Sequence, residues 1–163
     1  MAIPKALALT PDELEEMMQT TWNMRIATAG PHGRITLSPL WFGWVDGMVY
    51  AWCRGQKVVD IRRNPVATVL VDRNERFPEL QAVMFQGRCE VLEDLAAEEA
   101  DLNLRAVREQ MGRKYHGGHG DHPVPQLAAT ARGSSARWIR FIPDRELSWD
   151  NTKLPALRAE RGS

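Results

Sequence analysis

The sequence has no excess charge of either sign: 21 basic side chains stand against 21 acidic ones in 163 residues. A balanced chain projects no long-range field towards a phosphate backbone or an anionic lipid surface. Nucleic acid and membranes are therefore not expected as partners. No apolar run approaches the roughly 20 residues that a membrane-spanning helix needs. The start, Met1-Ala-Ile-Pro-Lys5, lacks the apolar core and cleavage pattern of a secretory signal, so a cytoplasmic location is expected. Cysteine is scarce. Cys53 and Cys89 each lie in an apolar strand-like run, and no Cys-x-x-Cys spacing exists. That pattern points to buried, reduced thiols and away from a disulfide or a thiolate nucleophile. There is no internal repeat and no linker, so one domain over residues 1–163 is expected, with 1–9 and 155–163 as loose ends.

What the chain does have is tryptophan and many short apolar runs. Of its six tryptophans, Trp22, Trp41, Trp44 and Trp52 fall in the first third. Indoles are large flat faces with one donor, suited to a core, an interface or a flat ligand. Thr10-Pro-Asp-Glu13 is a capping box with proline at the first helical position. Leu14, Met17, Met18 and Thr21 follow at helical spacing, so 11–21 reads as an amphipathic helix. Strands are expected at 25–29, 34–45, 48–53, 66–72, 80–92, 135–142 and 146–149, and further helices at 57–64 and 95–114. Pro39 and Gly43 interrupt the second strand, which leaves backbone groups free for a ligand or a partner chain. Asp46-Gly47 marks a tight hairpin and Gly87 a bulge. The tail from Asp150 is polar and expected to fray. The fold class is mainly β (α+β): six to seven antiparallel strands closing into a barrel, with flanking helices.

The stretch Arg54-Gly-Gln-Lys-Val-Val-Asp-Ile-Arg-Arg-Asn-Pro65 carries the most chemistry. A strand, Met48–Cys53, runs into a glycine and then a short helix that Asn64-Pro65 closes. Free N–H groups and the helix dipole at such a start favour an anion. Arg54 and Lys57 bracket the place where a phosphate would sit.

Three pieces of sequence resemble the flavin-binding split barrels related to pyridoxamine 5'-phosphate oxidase, and more narrowly the flavin/deazaflavin oxidoreductases. Arg25-Ile-Ala-Thr-Ala-Gly-Pro-His-Gly-Arg-Ile-Thr-Leu-Ser-Pro-Leu-Trp-Phe42 is similar to that family's opening hairpin. Gln56–Pro65 with Val69-Leu-Val71 is similar to its "KxxNLRRDPRVxLLV" segment, and Gln86–Glu93 to its "xGxAxVLxD" strand. Arg137–Leu154 fits the closing strand more loosely. The resemblance implies a split β-barrel homodimer with two flavin-type sites at the subunit interface. By matching position, Lys57 would hold the cofactor phosphate, helped by Arg54 and the backbone of Gly55 and Gln56. Leu37, Ser38, Pro39 and Leu40 would line the ring, and Tyr50 and Ala51 would lie beside the phosphate or ribityl chain. Trp41 and Trp149 would wall the substrate side. Two positions depart from the family pattern. Gln56 is neutral where many relatives are basic, which bears against tight FMN binding more than against a deazaflavin. His32 replaces an acidic turn residue.

The function this implies is hydride transfer from reduced coenzyme F-420, an 8-hydroxy-5-deazaflavin, to an unsaturated or quinone-like small molecule. FMN in the same fold is the alternative, followed by a non-catalytic carrier of flavin, haem or tetrapyrrole. No catalytic acid or base is assigned. His116-x-x-His119-x-x-His122, with Asp121, has the ligand chemistry for a metal or haem, but no cysteine is near. Its glycines read as a loop, with a lid as one role. No metal is assigned. Arg62-Arg63 and the basic residues Arg105, Arg108, Arg113 and Lys114 read as solvated helix faces.

Overall fold

The computed structural model describes residues 4–116 and 135–161. Helix α1 (Pro11–Thr20) starts as the sequence predicts: the Thr10 hydroxyl accepts from the Glu13 N–H at 3.3 Å, and Glu13 Oε2 accepts from the Thr10 N–H at 2.7 Å. Strands β1 (Met24–Ala29), β2 (Ile35–Leu40), β3 (Gly43–Val45) and β4 (Met48–Cys53) follow. Helix α2 (Gln56–Arg63) leads to β5 (Val66–Arg73) and β6 (Gln81–Leu92). Then come α3 (Leu95–Ala100), α4 (Leu104–His116), β7 (Arg137–Asp150) and α5 (Leu154–Arg161). The seven strands form one antiparallel sheet in the order β2-β1-β5-β6-β7-β4-β3.

The order explains why the sheet curls. β2 and β3 are neighbours in the chain but occupy opposite edges of the sheet. Only Trp41 and Phe42 join them, a link that reaches about 11 Å at full extension. The edges of a flat seven-stranded sheet would stand about 29 Å apart. The sheet must roll into a half-barrel, and its inner face closes on Met18, Met24, Ile26, Phe42, Val69, Phe85 and Phe141. A second cluster, with Tyr50, Leu104, Val107, Met111, Tyr115 and Trp138, sits under α4.

Four sequence expectations change. The single strand over 34–45 is two strands at opposite edges, because the Pro39–Gly43 interruption is where the chain leaves one edge for the other. The helix over 95–114 is two, broken at Asp101. Its buried carboxylate accepts the Leu104 N–H at 3.0 Å, the Tyr50 hydroxyl at 3.1 Å and Arg140 at 2.8 Å, so it starts α4 and pins it to the sheet. The strands at 135–142 and 146–149 are one continuous β7 that carries Pro143 through a register shift opposite Gln86/Gly87. The tail beyond Asp150 forms a short turn and then α5. At the other end residues 5–7 form a turn, and the Leu9 N–H donates to Ser148 Oγ at 3.2 Å. Residues 126–133, whose sequence assigns them to no element, lie outside the described residues.

Cys53 and Cys89 are buried and unpaired, and burial pushes the Cys53 thiol up to about 11. Among the described residues no helix is long and apolar enough to cross a membrane.

Gly87 is where the bulge demands a glycine. A Cβ there would lie 2.2 Å from the Ile142 carbonyl oxygen, which is backbone and cannot swing aside. We expect Gly87→Ala to cost about 3 kcal/mol, a fall in Tm of roughly 6–12 °C. An unchanged melting temperature by calorimetry would contradict the bulge geometry.

Candidate cofactor site

The free edges of the curled sheet are treated differently. At β3, Gln110 of α4 stands in for a missing strand: its Oε1 accepts the Trp44 N–H at 2.6 Å and its Nε2 donates to the Trp44 carbonyl at 2.6 Å. At the break between β2 and β3, the Tyr115 hydroxyl accepts the Phe42 N–H at 2.9 Å. The same oxygen lies 2.8 Å from the Trp22 carbonyl and 3.0 Å from that of Phe42, the acceptors for its single proton. Among the described residues no strand pairs with the outer edge of β2. Leu37 is 66% exposed on it, Pro39 is exposed, and Ser38 and Leu40 are half-buried.

Helix α2 starts at Gly55, whose φ of 84° is a left-handed value that glycine adopts without strain. No side chain caps that start, and a Cβ on Gly55 would meet nothing within 4 Å. The space above the turn is open. Lys57 is half-buried and its Nζ donates to the Arg54 carbonyl at 3.0 Å; Arg54 is exposed. These features fit a phosphate. An uncapped first turn offers N–H donors, and two cations flank it. Gln56 turns away: its Nε2 donates to Asp60 Oδ1 at 2.7 Å.

Asp60 is the residue that sequence reasoning missed. Fully buried, it joins α2 to the sheet. Oδ2 accepts from Thr36 of β2 at 2.9 Å and from Thr28 of β1 at 3.4 Å. The Gln56 amide foremost, then Thr36, the Arg34 charge and Thr28, hold the Asp60 carboxyl below its ordinary range against the opposing push of burial. The available signal was its spacing, four residues after Gln56 and one before the buried Ile61. Through Asp60 the structure brings the Lys57 turn and the Leu37–Leu40 strand together.

Other expected site residues lie elsewhere. Tyr50 and Ala51 are 0% exposed and offer no surface to a ligand. The Tyr50 hydroxyl is spent on Asp101; burial first, then that carboxylate's charge, push the phenol up to about 12. Trp41 is half-buried and stacks on Tyr115 with centroids 4.5 Å apart, while Trp22 meets it edge-on at 6.2 Å. Trp149 is half-buried on β7 opposite Ala82, four strands from β2 in the sheet order. The histidine loop falls almost wholly in 117–134, outside the described residues.

Two of the helix cations expected in solvent are packed instead. Arg108 pairs with the buried Glu98 at 2.6 Å. Lys114 lies 3.7 Å from the Phe42 ring centroid and donates to the Met18 carbonyl at 3.1 Å. Arg62 keeps a surface pair with Glu93 at 2.6 Å.

A seven-stranded antiparallel sheet curled by a split strand, with an open turn over a helix start, is the architecture of the split β-barrels. The chain belongs to the pyridoxamine 5'-phosphate oxidase family, whose model matches residues 10–149. No curated protein matches the sequence. Solved structures show the same fold. The conserved hypothetical protein Rv2991 from Mycobacterium tuberculosis is 24% identical, with a TM-score of 0.75 over 95% of this chain and 93% of the other. HutZ, a haem storage protein from Vibrio cholerae, is 14% identical, with a TM-score of 0.65 over 85% and 94%. An F-420 reductase is 16% identical, with a TM-score of 0.56 over 89% and 98%.

Burial pulls Lys114 down to about 7, against a cation–π contact that favours its charged form. The folded chain then binds fewer protons than the unfolded chain between that value and the ordinary 10.5, so stability must rise with pH across this window. We expect the urea midpoint to climb between about pH 7 and 9 in the wild type and to flatten in Lys114→Met. Parallel pH profiles for the two proteins would contradict the buried placement.

Proposed function

We propose that this chain is a cytoplasmic oxidoreductase that binds coenzyme F-420 and reduces an unsaturated or quinone-like small molecule. The observation that carries the reading is the joining, through Asp60, of an open, uncapped helix start at Lys57 to an unpaired strand edge at Leu37–Leu40. Family membership and the likeness to an F-420 reductase support it. In this reading Lys57 and Arg54 balance the phosphate, and the Gly55–Gln56 backbone donates to it. The ring lies along the free backbone of Leu37, Ser38, Pro39 and Leu40. Reduced deazaflavin supplies the hydride. The protein's part is placement and exclusion of water, with Trp41, backed by Tyr115 and Trp22, as one wall.

A second copy of the chain completes the site. Ile35 and Leu37 of β2 are 61% and 66% exposed, and Val66 at the start of β5 is 56% exposed. Ile35 pairs with Ala29 and Leu37 with Ala27, so an apolar band crosses the outer face of β2, β1 and β5. A patch of this kind is suited to association.

FMN in the same place is the alternative that the family's name supports. A non-catalytic haem carrier is a further reading, favoured by the higher TM-score to HutZ.

The test is titration of F-420, FMN and haemin into wild type and Lys57→Ala. Losing one charge-assisted phosphate contact costs about 1.5–3 kcal/mol, one to two decades of affinity. We expect micromolar F-420 binding that collapses in the variant, with weaker FMN binding. Tight FMN binding moves the assignment to the flavin enzyme. Haemin binding unaffected by Lys57→Ala, with no binding of either other ligand, contradicts the reading.

A further inference from the structure

We infer that Asp60 selects the kind of phosphate the site accepts, favouring a singly charged phosphodiester over a doubly charged phosphomonoester. The inference rests on the cofactor reading above and sharpens it to a ligand class. Its ground is the balance of charges around the α2 start. The cations there are poorly protected: Arg54 and Arg34 are exposed and Lys57 is half-buried, so solvent and salt screen them. Asp60 is 0% exposed, and a buried charge is screened far less.

The carboxylate is also not neutralised by contact. Its hydrogen-bond partners Gln56, Thr36 and Thr28 are all uncharged, and Arg34 acts on it through space. Its charge therefore reaches the turn. Gln56 is the first residue of α2, and its amide touches Asp60 at 2.7 Å, so the negative charge stands within one side chain of the phosphate-binding start. That side chain, though exposed, is engaged by the same bond on the helix. Arg34 faces Asp60 from the β1–β2 connection, Lys57 shares its helix, and the Arg62–Glu93 pair lies at the helix's far end. Each added negative charge on a ligand meets Asp60 once more. The penalty for the second charge is on the order of tenfold in affinity for a partly buried pair.

The probes are 8-hydroxy-5-deazariboflavin 5'-phosphate and its methyl phosphodiester, which share a ring and differ by one charge. Fluorescence titration of the full chain gives the ratio of their affinities in wild type, Asp60→Asn and Thr36→Val. We expect Asp60→Asn to shift that ratio about tenfold towards the monoester. Thr36→Val keeps the charge and removes one hydrogen bond, so it should weaken both probes together and leave the ratio unchanged. A ratio unmoved in Asp60→Asn, or moved equally by Thr36→Val, overturns the inference while leaving the cofactor reading intact. If neither probe binds the wild type, the cofactor reading itself falls, and this inference with it.

A measurement on the wild type guards against an Asp60→Asn that does not fold. Lowering the pH from about 7.5 to about 5.5 removes the monoester's second charge, whose pKa is near 6. Its affinity relative to the diester should rise. The diester, whose charge does not change in this window, controls for any change in the protein itself. A relative affinity that drops as the pH is lowered would show the cations dominating and overturn the inference.

Discussion

Everything in this molecule follows from a two-residue link. Trp41 and Phe42 connect strands at opposite edges of a seven-stranded sheet, and so short a span forces the sheet to roll up. The break then needs partners for backbone that has left the ladder, and Tyr115 supplies them with one hydroxyl. It also leaves two edges to be managed. Gln110 closes the β3 edge by imitating a strand, whereas among the described residues no strand pairs with the outer edge of β2. The open edge is therefore a consequence of the topology, and the candidate site is built on it.

A second constraint holds the site's two halves in register. Helix α2 has eight residues and little hold of its own, so its placement depends on what its buried face touches. Val58 and Ile61 supply apolar contact, but Asp60 ties the helix to specific residues, Thr28 and Thr36, on β1 and β2. A buried carboxylate is tolerated only because its donors are in place. One of these bonds engages the amide of Gln56, so a polar residue at the helix start serves the scaffold.

Much of this was legible in the sequence where the signal is local. The Thr10 capping box, the Asp46-Gly47 hairpin, the Gly87 bulge and the extent of β4 are governed by a few neighbouring residues, and all stand as read. Pro39 and Gly43 announced a break in the second strand. They did not say that its halves belong to opposite edges, because strand pairing is set by distant segments. The division of the 95–114 helix was hidden for the same reason: Asp101 breaks it to meet Tyr50 and Arg140, 51 and 39 residues away. Pro143 looked like a strand end, but β7 continues past it through a bulge at Asp144, which is left without a partner between Gly87↔Pro143 and Gln86↔Arg145. Tyr50 and Ala51 were expected at the cofactor by matching position in the family resemblance, which does not say how deeply a residue is covered in this chain; here both are 0% exposed. Lys114 looked solvated until its neighbours Phe42 and Met18 were known.

The central claim is that β2 and the start of α2 form one cofactor site, finished by a second copy of the chain across the apolar band on β2, β1 and β5. Native mass spectrometry of the protein with coenzyme F-420 tests this most directly, because it reads subunit and cofactor number together. The account predicts a dimer carrying two cofactors, with no cofactor on any monomer that dissociates. A monomer that binds the cofactor as well as the dimer does, or a dimer that takes up none, would contradict it.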